Sequence, residues 1–149
     1  MPTLSGGDKL QQRLDEIAKK LKKGGTVRVG FLEGGTYPDG TSIPLVAAIN
    51  EFGAPSRGQP PRPFFRRMIA AKSGEWPDAI AALLVVNDYD VARVLEITGI
   101  KIGEQLQQSI KDLVEPPLAE STIARKGFSK PLIDSTTMLN SVGHEVKAE

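Results

Sequence analysis

"DVARVLEITGIKIGEQLQQSIKDLV", residues Asp90 to Val114, is the stretch whose reading decides the fold. On a 100° wheel Val91, Val94, Leu95, Ile102, Leu106, Ile110 and Leu113 share one side, the pattern of a long helix with one face in a core. Ile97 and Ile100 fall on the opposite side, among Arg93, Glu104 and Lys111, and ask for a partner of their own. Gly99 and Gly103 sit one turn apart near the main stripe. A glycine inside a helix costs roughly 1 kcal/mol relative to alanine, so another element is expected to approach closely there. Pro116-Pro117 ends the helix.

Working outward, two short strands flank this helix in the chain. Val27, Val29 and Phe31 alternate with Arg28 and Gly30, and Val142 to Val146 forms a final strand able to pair with Val27 to Phe31. Before the first strand, a helix from about Asp8 to Lys23 carries Leu10, Leu14, Ile17, Ala18 and Leu21 as one apolar stripe opposite a basic, solvated face. Gly24 and Gly25 close it. After the first strand, the turn residues of EGGTYPDGTS mark an exposed loop or loose hairpin. Ser42 caps a short helix with Pro44 in its first turn and Gly53 as its stop. Pro63 opens another through Phe64, Phe65, Met68 and Ile69, and a further helix runs from about Pro77 to Val86. A basic arm and a short helix near Thr136 to Ser141 complete the chain.

The fold class is therefore α+β: a small antiparallel sheet, with first and last strands paired, packs against a long helix and several shorter helices. Extended arms lie near 33–42, 54–63 and 115–132 of a single domain over 1–149. At 149 residues such a chain buries roughly 68 to 70% of its unfolded surface and folds without staples. A hydrophobic fraction of 40% and a charged fraction of 25% are globular values, while 15 Gly and 11 Pro imply substantial loop.

Nineteen basic against eighteen acidic residues leave a net charge of +1, so no global field draws the chain to nucleic acid or membrane. The absence of cysteine fits a reducing compartment and excludes thiolate metal sites. The first residues lack the apolar core of a signal peptide, and the longest apolar run, Ala79 to Val86, is far short of the roughly 20 residues a bilayer span needs. The reading is a soluble protein with no membrane partner.

Chemistry is sparse. The single histidine, His144, lies in the last strand, where a lone imidazole is ordinarily a surface or edge residue rather than a ligand or base. No Gly-x-Ser-x-Gly elbow occurs, and the glycines of GFLEGGTYPDG lack the Lys-Ser/Thr that closes a P-loop. Acid pairs such as Asp88/Asp90 read as solvated charge. The expectation is a protein with no catalytic, metal or cofactor site.

What stands out is "NEFGAPSRGQPPRPFFRRM", Asn50 to Met68. From Gly53 to Met68 it holds four arginines and no acid. Proline fixes its own φ and biases the residue before it, so PSRGQPPRP reads as a stiff extended strap. Three uses compete, a catalytic loop, a nucleic-acid grip or a docking arm for another protein, beside a plain surface loop for PSRGQPP itself. The adjacent Phe64-Phe65 favour core or interface burial over base stacking, with arginines on an interface rim.

Asn50-Glu51-Phe52-Gly53, followed by Pro61-Arg62-Pro63-Phe64 and then by Thr122, Lys126, Pro131, Leu132, Asp134 and Leu139, resembles the head-to-tail joining and tail-completion proteins of tailed bacteriophages, the group that includes minor tail protein Z and related neck proteins. The match spans most of the chain, with short individual motifs, and the family's Thr-Gly stands here as Ser135-Thr136. The resemblance implies a non-enzymatic virion protein made in the host cytoplasm. It implies a ring of six copies in the neck that meets head connector or head-completion proteins on one side and the tail terminator or tail tube on the other, with passive contact to DNA in the lumen. The expected interface residues are Arg57, Pro61, Arg62, Pro63, Phe64, Arg66 and Arg67 of the strap, Ile97 and Ile100 of the long helix, and Arg125 and Lys126 of the late basic arm. The alternative is a DNA-binding protein or morphogenesis factor that uses the Arg-rich loop.

Overall fold

The long helix organises the molecule. A computed structural model describes residues 6–112 and 139–148, and in it the helix α5 runs from Val91 to Asp112. The other elements are α1 (Gly7–Lys22), β1 (Gly25–Phe31), α2 (Ile43–Phe52), α3 (Phe64–Lys72), α4 (Trp76–Val86) and β2 (Val142–Ala148). Strands β1 and β2 pair antiparallel in the register Val27 to Val146, Val29 to His144 and Phe31 to Val142. The α+β architecture expected from the pattern is the one observed.

The sheet crosses α5 where its glycines lie. A Cβ placed on Gly99 would stand 2.7 Å from the His144 ring and 2.9 Å from Val27, so only glycine lets the sheet lie this close. Val94, Leu106 and Ile110 of α5 are buried. The last two join Ile43 and Ala47 of α2 and Phe64 and Met68 of α3 in one core, with Phe31, Trp76 and Val142 packed at its edge. Ser109 Oγ donates to the Phe64 carbonyl at 2.6 Å, and Trp76 Nε1 donates to Gln105 Oε1 at 2.9 Å, which fix α3 and α4 against the helix.

Local signals behave as their chemistry requires. Ser42 Oγ accepts from Leu45 N at the start of α2, and Gly53 ends it at φ +79°. Tyr37 N donates to Thr41 O, and Thr36 bridges Ser42, so residues 33–42 form a small hairpin.

Two expectations are corrected. The proline-rich stretch is not an extended strap: Pro55–Arg57 form a 3-10 turn closed by Gly58 at φ +66°, and Ala54 pairs with Gln59. Proline's fixed φ suits a 3-10 turn as well as an extended chain, and the glycine after Arg57 lets the backbone reverse. The stripe of α1 is not covered either. No residue of α1 is buried, and Leu10 and Leu14 are 61% and 50% exposed. The expected helix near Thr136 to Ser141 survives as a helical pair, Leu139 and Asn140, before β2; its first residues lie outside the described residues, as do Arg125, Lys126 and the arm near 115–132.

Candidate protein-docking surface

The motif Asn50-Glu51-Phe52-Gly53 and the motif Pro61-Arg62-Pro63-Phe64 meet as one clasp. Glu51, on the last turn of α2, turns its carboxylate inward, where it accepts from Phe65 N at 2.9 Å and Arg66 N at 3.1 Å. It therefore satisfies the open amides at the start of α3, where Pro63 supplies no side-chain cap. Arg66 Nε reaches the same carboxylate at 2.8 Å, its Nη2 donates to the Glu51 carbonyl, and its guanidinium lies 5.1 Å from the centre of the Phe52 ring. Arg62 N donates to the Asn50 carbonyl at 2.6 Å. Gly53 makes room for the crossing: a Cβ there would lie 2.8 Å from both Gln59 O and Pro61 N.

The clasp sorts the expected interface residues. Arg62 and Phe64 are only 7% and 1% exposed, buried within their own chain. Burial also pushes the Arg62 guanidinium below its ordinary pKa, and among the described residues its Nε meets no acceptor. Pro63 is half-buried, and Arg66 is exposed but committed to Glu51. Arg57, Pro61 and Arg67 are exposed, Ile100 is exposed and Ile97 half-buried. Beside the clasp, Pro44, Ala48, Phe52 and Phe65 line a shallow, mostly apolar groove of about 340 Å³, with Phe52 itself 66% exposed.

A second region centres on Asp88. Asp88 and Tyr89, between α4 and α5, both adopt left-handed backbone, φ +53° and +60°. That turn aims the Asp88 carboxylate at α1, where it accepts from Arg13 Nη2 and from Lys20 Nζ at 2.8 Å; Lys20 also donates to the Asp88 carbonyl at 3.0 Å. Arg13 and Lys20 hold the Asp88 pKa down at about 2. Reading Asp88 as merely solvated charge missed this latch, because its partners lie far off in the sequence. Above it, α4 is apolar on nearly every side yet has no buried residue, and Val85 and Val86 stand exposed.

His144 lies over Gly99 with Nε2 2.6 Å from Glu96 Oε1. Among the described residues no group of three or more His, Cys, Asp or Glu is placed to hold a metal ion, and no helix is long and apolar enough to cross a membrane. Comparison of the chain with family models, with curated proteins and with solved structures finds no match.

Proposed function

We propose that this chain is a structural virion protein of a tailed bacteriophage, a ring-forming neck component that completes the tail and joins it to the head connector. The family comes from the resemblance of Asn50–Gly53, Pro61–Phe64 and the segment before β2. The observation that carries the assembly reading is that, among the described residues, two apolar helical faces, on α1 and α4, lie uncovered on one body. A helix that is apolar all round is ordinarily buried, and large exposed apolar patches mark sites of protein association. A ring needs two different surfaces on each subunit that meet head to tail. The groove beside Phe52 and the exposed Arg57, Pro61 and Arg67 supply further contact area toward connector or tail proteins.

The nucleic-acid alternative draws less from the geometry, because Arg62 is buried and Arg66 is neutralised by Glu51. Electron cryomicroscopy of purified tailed particles carrying this chain, with its density located by an epitope tag, tests the proposal. Density at the head–tail junction in a closed ring supports it; particles that lack the chain, or that carry it elsewhere, overturn it.

A further inference from the structure

We infer that the contact between successive copies is made by the apolar stripe of α1 on one copy seated against the outer face of α4 on the next. This inference rests on the ring reading and adds to it the two surfaces that meet.

The stripe of α1 consists of Leu10, Leu14, Ile17 and Leu21, spaced four, three and four residues apart, the seam spacing of helices that pack along their length. Among the described residues its leucines stay exposed and Ile17 is half-buried, and the helix is held by polar contacts instead, through Arg13 and Lys20 on Asp88 and the Arg13 guanidinium near the Tyr89 ring. A helix of 16 residues is marginal in water without packing, so this one needs an apolar surface from outside.

The outer face of α4 fits that need in shape and in charge. Trp76, Ile80, Leu83 and Leu84 are its half-buried residues, while Ala79, Ala81, Ala82, Val85 and Val86 are exposed, Val86 at 82%. Small side chains on one helix accept large ones from the other, which favours a leucine seam against this alanine and valine face over a leucine seam against its own copy. The basic last turn of α1 offers Lys19 and Lys22, which match the acids at the start of α4, Glu75 and Asp78; α4 itself carries no base. Antiparallel packing brings those ends together and opposes the two helix dipoles. Asp88 has a part in this. It pins Arg13 and Lys20, which flank the seam, and so presents the leucines outward and keeps those cations off the apolar contact.

Two different surfaces of one chain thus meet across copies, the heterologous kind of contact from which a ring is built when its rotation closes.

The chain has no cysteine, which makes cross-linking a clean test. Leu14→Cys and Ala82→Cys variants, tagged to differ in mass, are mixed and oxidised under conditions where the parent protein self-associates, in solution or in the particle. The expected result is a disulfide between the two variants as the dominant product, with little from either alone. A homodisulfide of Leu14→Cys as the main product overturns the inference in favour of α1 against α1. Rings without the mixed product overturn it while leaving the ring reading intact. A chain that associates neither in solution nor in particles overturns both. As a second measurement, Val86→Asp is expected to abolish self-association by light scattering with an unchanged thermal midpoint; unaltered self-association contradicts the contact.

Discussion

Replacing Glu51 by alanine separates two accounts of the Arg-rich motif, because the clasp makes this carboxylate more important to the fold than the arginine it pairs with. Glu51 is buried and holds two open amides at the start of α3 in addition to Arg66. Loss of a helix cap costs about 1 kcal/mol, and loss of a charge-assisted hydrogen bond about 1.5 to 3 kcal/mol, so Glu51→Ala is expected to destabilise by about 3 kcal/mol. Arg66 is more than half exposed, where an ion pair contributes about 0 to 1 kcal/mol, and its stacking on exposed Phe52 adds about 0.5 kcal/mol. Arg66→Ala is therefore expected to cost about 1 kcal/mol. For a chain of this size, 1 kcal/mol moves the thermal midpoint by about 2 to 4 °C, so the Glu51 variant should melt about 6 to 12 °C lower and the Arg66 variant within about 4 °C of the parent. Thermal unfolding followed by circular dichroism, with urea midpoints read from the single tryptophan, Trp76, measures both. Equal losses for the two variants, or a larger loss for Arg66→Ala, would refute the assignment of Glu51 as the cap of α3.

Other expectations follow from particular contacts. Gly53→Ala forces a Cβ onto backbone atoms at 2.8 Å in a conformation that is essentially glycine-only, so it should cost about 3 kcal/mol or more and broaden amide signals around α3; a midpoint near the parent's contradicts the crossing geometry. Gly99→Ala overpacks the His144 and Val27 contact and is expected to cost about 1 to 3 kcal/mol, read as a urea midpoint that falls while the slope stays unchanged. Asp88 is an acid whose folded pKa, about 2, lies below its unfolded value of about 3.9, so its latch contributes fully above the unfolded value and is lost as pH falls through about 2. Protection of the α1 amides against hydrogen exchange, taken relative to the intrinsic rate at each pH, should fall over that window, and also at high salt or in Asp88→Asn; protection of α1 that ignores all three contradicts the latch. Duplex DNA is expected to show weak binding with a shallow salt slope, since Arg62 and Arg66 are occupied by the fold; a slope equal to four phosphate contacts contradicts that.

Periodicity made most of the body legible. The 3.6-residue repeat from Val91 onward and the alternation at Val27–Phe31 and Val142–Val146 specify elements whose pairing leaves few arrangements, and Gly99 pointed to the close crossing that the His144 ring makes. The partner of an amphipathic stripe is a different kind of information. Leu10, Leu14 and Leu21 have a core pattern and lie uncovered, because periodicity identifies an apolar face and says nothing of which surface covers it. Composition misled at Arg62 and Arg66. Four arginines in an acid-free segment read as a basic surface, whereas Glu51, just before that segment, takes up Arg66, and Arg62 is carried inward by its backbone bond to Asn50. The Asp88 latch was hidden for a related reason: two left-handed residues, neither of them glycine, set the direction of that carboxylate.

The central claim, that this chain acts by assembling with copies of itself in the neck of a virion, is tested most directly by an electron cryomicroscopy reconstruction of the particle at side-chain detail. The account expects a closed ring of copies at the head–tail junction, with α1 of each subunit covered by α4 of its neighbour. A reconstruction in which Leu10, Leu14 and Val86 face open solvent on an isolated subunit would contradict it.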